Sequence, residues 1–160
     1  MADLLEAGGN AIDYAKIWAL SAATLPGDYL RDVVRQYHDA GVSTFAGGLL
    51  FEYAYLQNEV DGLIELLRHT GIGGAEVSEN YLVLEDNERL SYIDRIASAG
   101  LDVVYEFGRK HPEEPMDLDV LDDLIARVKG AGAHHVIVEQ GEIDLLEVSE
   151  PGATRVIKHK

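Results

Sequence analysis

Acidic and cationic side chains recur along this chain at the ends of apolar, strand-like runs. Lys16 lies within the run AIDYAKIWAL, which begins at Ala11. Gly47, Gly48 and then Glu52 follow the run that begins at Val42. Glu76, Ser78, Glu79 and Asn80 close the run from Ala75, and Glu106, Arg109 and Lys110 close the run from Asp102. Glu139 and Glu142 follow the run from His134. Converging carboxylates can hold Mg²⁺, which prefers oxygen ligands and keeps several of its waters. Cationic side chains among them can neutralise a phosphorylated substrate or a developing enolate. A charge inside an apolar run is costly unless it is paired or metal-bound. Glu106, after Val103 and Val104, and Glu139, after Val136, Ile137 and Val138, therefore read as site residues rather than as solvated charges.

Other residues carry weaker signals. Lys16 inside its strand faces either a polar site or a structural carboxylate, and a Schiff-base role is a third reading. Gly47-Gly48 permits close backbone approach to a ligand, or a strained turn. His134 and His135 are adjacent, so on a strand they point to opposite faces, which favours a structural or surface role over a metal site. Trp18 shares a face with Lys16, yet Trp18 and Tyr14 read most simply as packing residues. The sequence holds no G-x-G-x-x-G, no Walker loop, no G-x-S-x-G and no H-E-x-x-H.

These residues need a scaffold that brings strand ends together. The runs start 31, 33, 27 and 32 residues apart, and about 30 residues is what one strand–helix–strand unit needs. Amphipathic stripes fill the gaps: 28–40 with Leu30, Val33, Val34 and Tyr37; 59–70 with Val60, Leu63, Ile64 and Leu67; 87–99 with Leu90, Ile93 and Ile96; 117–131 with Leu118, Leu121, Leu124, Ile125 and Val128. A glycine stands at or near the end of each. An opening helix over roughly 2–7 precedes the first strand. This alternation predicts one α/β domain over residues 1–160 with parallel strands and right-handed crossovers. An open doubly wound sheet competes with a partial or incomplete TIM-type (β/α) barrel. A complete barrel takes eight strands and about 250 residues. Five strands are read here, with a sixth at 154–159.

Composition narrows the partners. The 29 acidic residues outnumber the 13 basic ones, for a net charge of −16, and such a surface repels nucleic acid and anionic membranes. The acids are spread along the chain, a pattern that suits a salt-rich cytoplasm where screening removes self-repulsion. There is no cysteine to build a disulfide or a thiolate metal site. No basic leader followed by a long apolar run opens the sequence, and no transmembrane run appears, so a cytoplasmic protein is expected.

At the strand ends the sequence resembles the phosphosulfolactate synthase family. That family carries segments like IDYVKFGWGTS, YPGGTLFEYAY, EISDG, EVGKK and EGRESG in this order. Here the matching stretches are IDYAKIWALSA from Ile12, FAGGLLFEYAY from Phe45, EVSEN from Glu76, EFGRK from Glu106 and EQGE from Glu139. The resemblance implies a (β/α) barrel that joins sulfite to phosphoenolpyruvate with Mg²⁺, in coenzyme M synthesis. It implies site positions at Lys16, Glu52, Glu76, Ser78, Glu106, Lys110 and Glu139. The expectation assembled from residues and resemblance is catalytic Lys16, Glu106 and Lys110, a small anionic substrate held at Gly47, Gly48, Ser78 and Arg109, and Mg²⁺ on Glu52, Glu76 and Glu139. Departures stand out too. Trp18-Ala19-Leu20 replaces Gly-Trp-Gly, Leu49 replaces a threonine, Glu79-Asn80 replaces Asp-Gly, Gly141 replaces an arginine and Arg109 replaces a lysine. The alternative is a non-catalytic, divergent member acting as a structural, stress-related or interaction protein. An incomplete barrel leaves open sheet edges, so a homo-oligomer is expected.

Overall fold

Strand-forming runs alternate with helical stripes from one end of the chain to the other. The computed structural model describes residues 2–8 and 11–149. In chain order the elements are α1 (Ala2–Gly8), β1 (Tyr14–Ile17), α2 (Ser21–Thr24), α3 (Gly27–Asp39), β2 (Ser43–Ala46), α4 (Gly48–Leu56), α5 (Val60–Thr70), β3 (Gly74–Ser78), α6 (Asp86–Ser98), β4 (Asp102–Phe107), α7 (Leu118–Gly130), β5 (Ala133–Val138) and α8 (Gln140–Ser149). The five expected strands and the five expected helices are all present. The expected sixth strand, 154–159, lies outside the described residues.

Local chemistry sets the boundaries. Asp117 caps α7, its carboxylate accepting from the backbone N–H groups of Asp119 at 2.8 Å and Val120 at 3.2 Å, and Arg127 and Lys129 sit in the last turn. Gly71 ends α5 in the left-handed conformation, with φ at 78°, which a side chain would resist. Three helices were not expected from the pattern. The most important is α4, where Leu50, Phe51, Glu52 and Ala54 are all buried. A run that is apolar almost all round shows no stripe.

The five strands form one parallel sheet in the order β1-β2-β3-β4-β5. A doubly wound sheet would reverse its strand order at a switch point. Sequential order throughout is the topology of a barrel wall, and the molecule is a partial (β/α) barrel. One face of the sheet carries Ile17, Ala46, Ala75, Val77, Val103, Tyr105 and Ala133 into the main core, against Leu30, Phe51, Leu67, Ile93, Ile96 and Val128 of the helices. Leu67, Ile93, Ile96 and Val128 are wholly buried. Each such side chain contributes roughly 1.5–3 kcal/mol relative to exposure.

The other face belongs to the alternate residues, Lys16, Glu76 and Glu106 among them. This face is curled rather than flat. A flat five-stranded sheet would hold its edge strands about 19 Å apart, four spacings of about 4.8 Å. Here Tyr14 of β1 and His135 of β5 touch, hydroxyl to Nε2 at 3.0 Å, with ring centroids 4.9 Å apart. Phe45, edge-on to Tyr14, and Val104 on this face are buried. The register slips by one residue where Val103 and Val104 face Ala133 and His135, and a bulge of this kind sharpens the bend. His134 is left on the outside, 3.6 Å from Asp102. Tyr14 thus bridges the two edge strands side chain to side chain, a more specific role than packing. Among the described residues no helix is long and apolar enough to cross a membrane.

Candidate active site

The carboxyl ends of β1, β2, β3 and β4 surround a small pocket of about 50 Å³. Lys16, Gly47, Gly48, Glu76, Asn80, Glu106 and Lys110 line it, with Trp18, Ala19 and Leu49. The side chains arrive there for simple reasons. Lys16 and Glu76 lie on the same face of nearby parallel strands, and Ser78 is registered opposite Glu106. Lys16 Nζ stands 2.8 Å from each oxygen of Glu76. The ammonium donates its hydrogen bond to Oε1, so Oε2 has the charge beside it but no hydrogen bond. Glu76 is 1% exposed, and its Oε1 also accepts from Gly48 N–H at 2.9 Å. That contact exists because residue 48 is glycine. A Cβ there would come within 2.2 Å of Ser78 Oγ and 2.8 Å of Glu76 Oε1. The first turn of α4 also carries partial positive charge toward the Glu76 carboxylate.

Glu106, next to last in β4, has little exposure, and its Oε2 accepts from Asn80 Nδ2 at 2.6 Å. Burial pushes its carboxyl pKa up. The nearby charges of Glu76 and Glu139 push the same way, and the Asn80 hydrogen bond and Lys16 oppose them. Lys110 lies at the mouth, 3.0 Å from Glu139, and that hydrogen bond holds its ammonium above the ordinary lysine range. A buried acid inclined to keep a proton thus stands among two ammonium ions and two further carboxylates. Such a set can bind a small acid and hand a proton to it.

Not every expected site residue reaches the pocket. Glu52 is buried on α4 and turns both oxygens to the loop after β3. It accepts from the Ser78 hydroxyl, from Asn80 N–H at 3.0 Å and from Tyr81 N–H at 2.9 Å. Ser78 is fully buried and spends its hydroxyl on Glu52. These two shape the pocket from beneath. Arg109 lines a different cavity, on the helix side of β4, beside Phe107 and Leu124. Its backbone N–H donates to Glu142 at 2.9 Å. Glu139 reaches the site through Lys110.

Two residues were missed as site residues. Trp18, read as packing, is 75% exposed and stands at the pocket. The signal was present, since period two placed it on the face of Lys16. The preceding Ile17 is the one that enters the core. Asn80 is the other. It sat in view at the end of a strand run, but only the fold shows that its amide meets Glu106. Among the described residues, no three acidic or histidine side chains gather as a ready-made metal cage.

Comparisons with known proteins agree with this reading at the family level. The family model for (2R)-phospho-3-sulfolactate synthase (ComA) matches residues 1–157. The phosphosulfolactate synthase of Methanocaldococcus jannaschii is 31% identical over 143 residues, which cover 88% of this chain and 57% of that protein. That of Methanothermobacter thermautotrophicus is 31% identical over 147 residues, 88% of this chain and 55% of that protein. The chain therefore spans little more than half the length of these relatives. Dihydrodipicolinate synthase from Aquifex aeolicus superimposes with a TM-score of 0.46 at 14% identity, over 98% of this chain and 68% of that one. With a family model matched along nearly its whole length, the chain belongs to the (2R)-phospho-3-sulfolactate synthase family.

Proposed function

We propose that the pocket is the working site of a lyase of phosphosulfolactate synthase type. It would join sulfite to phosphoenolpyruvate, or act on a related small phosphorylated or carboxylated acid, with Mg²⁺. The observation that most supports this is the gathering of Lys16, Glu76, Glu106 and Lys110 around one pocket at the ends of parallel strands. In the named reaction the sulfur lone pair forms a bond to the methylene carbon of the enol. The double-bond pair moves to the neighbouring carbon, beside the carboxylate, and that carbon then takes a proton. Lys16 and Lys110 are placed to neutralise the acid groups of the substrate. Glu106, whose carboxyl is biased toward its protonated form, is placed to hold the proton for that carbon.

The donor set fits Mg²⁺. Glu76 lines the pocket, and its Oε2 accepts no hydrogen bond beyond the ion pair with Lys16 at 2.8 Å. Mg²⁺ is commonly held by one or two carboxylates, with waters and substrate oxygens completing its shell. Glu76 would hold it together with waters and substrate oxygens, which leaves Glu106 free to carry the proton, and it would stabilise the negative charge that develops on the substrate. Of the other expected ligands, Glu52 is committed to Ser78 and the amides of the following loop, and Glu139 to Lys110.

A second reading, a family member without catalysis, draws on the charge of the same pocket. Two lysines face three glutamates there, each lysine is already paired, and Arg109 is directed elsewhere. Schiff-base chemistry would first have to detach Lys16 from Glu76. Incubation with phosphoenolpyruvate, sulfite and Mg²⁺ separates the readings. The lyase yields an adduct with a new carbon–sulfur bond by mass spectrometry, and Glu106→Gln lowers its rate about a hundredfold or more. No adduct rejects the named reaction. If phosphoenolpyruvate also fails to bind in the presence of Mg²⁺, the non-catalytic reading stands.

A further inference from the structure

The pocket is too small to enclose the substrate proposed for it. It holds about 50 Å³, room for a few water-sized groups. Pockets that enclose a small-molecule ligand run to about 300–1,000 Å³. A phosphorylated three-carbon acid seated on Lys16 and Glu106 therefore extends past the mouth, and whatever stands at the mouth touches it.

Trp18 stands there. It is the one tryptophan of the chain and is 75% exposed. Of the large apolar side chains that stand exposed among the described residues, it alone lines the pocket. An indole left in water forgoes a large burial of apolar surface. The backbone that carries it is held. Ile17 O accepts from Gly47 N–H at 3.0 Å, and Trp18 O from Ser21 N–H at 3.1 Å. The next residue, Ala19, has φ at 46°, a left-handed conformation that a residue with a side chain adopts rarely and keeps only where its surroundings hold it. The turn lies close over Gly47, where a Cβ would come within 2.9 Å of Lys16 Cε and 3.4 Å of Ala19 N. Backbone strain of this kind gathers at ligand contacts. The placement is this chain's own, since Trp18-Ala19-Leu20 stands where the family segment reads Gly-Trp-Gly.

The indole also supplies what the pocket lacks. Lys16 and Lys110 are each paired with a glutamate. The indole N–H is a donor without a counter-ion, and the ring face excludes water. We propose that Trp18 is a substrate-contacting residue, its indole covering the part of the bound acid that the pocket cannot enclose. The proposal rests on the proposed function for the class of acid.

A single tryptophan makes the test direct. Phosphoenolpyruvate is titrated with Mg²⁺ present, and binding is followed by calorimetry and by Trp18 fluorescence in parallel. The emission should move to shorter wavelength along the calorimetric binding curve, and acrylamide quenching should fall several-fold at saturation. Trp18→Ala should weaken binding about tenfold, and Trp18→Phe, which keeps a ring, should lose much less. In turnover the loss should fall on KM rather than kcat. Both variants should melt like the wild type, because the side chain faces water; should the alanine variant fail to fold, the quenching result and the phenylalanine variant decide. If phosphoenolpyruvate binds while the indole stays equally quenchable, or if Trp18→Ala binds as the wild type does, Trp18 does not cover the substrate and the lyase reading survives. If phosphoenolpyruvate does not bind, that reading falls, and malate and phosphoglycolate are titrated in its place. Protection of the indole by either keeps the role of Trp18 for another acid; protection by neither ends it.

Discussion

Two clusters of charge lie back to back on β4, and they are finished in opposite ways. Tyr105 points to the helix side, where it meets Glu79 and Arg89. Glu106, the next residue, points into the pocket. On the helix side every need is met. Glu79 Oε1 accepts from Arg89 Nε and from the Tyr105 hydroxyl at 2.9 Å. Its Oε2 accepts from Arg89 Nη2 at 3.0 Å and Leu84 N–H at 2.9 Å. Arg89 Nη2 also donates to Leu84 O at 3.0 Å, and Nη1 to Asp86. Burial pushes the Tyr105 hydroxyl pKa upward, and the adjacent Glu79 charge adds to it. The pocket cluster, by contrast, leaves two buried acceptors without a hydrogen bond, Asn80 Oδ1 and Glu76 Oε2, the latter with only the Lys16 ammonium beside it at 2.8 Å. A saturated network fixes a loop and asks nothing of a ligand. An unsaturated one of similar composition has hydrogen-bonding capacity left over for a ligand, as the proposed function requires.

The largest effect that would test this contrast is Arg89→Ala. Arg89 and Glu79 side chains are 11% and 12% exposed. Removing one member of a buried pair strands the other, at a cost of about 3–5 kcal/mol. The denaturation midpoint should fall steeply. A loss below about 1 kcal/mol would mean that solvent screens this pair and that the two clusters do not differ in kind.

Glu52→Gln is smaller and joins the two regions. The glutamine keeps one acceptor and turns an NH₂ toward a donor, so one of the three loop donors is stranded, at about 1–3 kcal/mol. Because that loop carries Asn80, whose amide holds Glu106 at the pocket, phosphoenolpyruvate binding should weaken as stability falls. Reduced stability with unchanged phosphoenolpyruvate binding would show that Glu52 does not position the pocket.

Much of this was legible before any coordinates. Strand spacing and glycine-terminated stripes placed the five β–α steps, because a parallel sheet needs about 30 residues per return. The acids at strand ends pointed to the rim where Glu76 and Glu106 line the pocket. The division of labour among them was not legible. Glu52 and Glu76 look alike in sequence, but the unforeseen α4 turns Glu52 under the loop, while the alternation of β3 sends Glu76 into the pocket. The contact of Tyr14 with His135 across the two edge strands joins residues 121 apart, which no local pattern announces. Trp18 was misjudged by residue type, since indole rings are usually at least partly buried.

The smallest effect is the most diagnostic of the pocket. The carboxyl of Glu106 has its pKa raised in the folded protein, chiefly by burial, then by Glu76. Its unfolded value is about 4.3. The folded state therefore binds this proton more tightly than the unfolded state, and stability contributed by the group rises as pH falls. Below about 4.3 both states are protonated and no penalty exists. Between the unfolded and folded pKa values the penalty grows, and above the folded value it is complete. Glu106→Gln removes the ionisation and retains an oxygen for Asn80 Nδ2. Relative to wild type, the variant should gain thermal stability from acid to neutral pH and then level off. At the acid limit the two should melt alike. A gap that is flat with pH, or that widens toward acid, would place Glu106 in a solvated setting like that of the surface carboxylates, and would remove it as the holder of the proton.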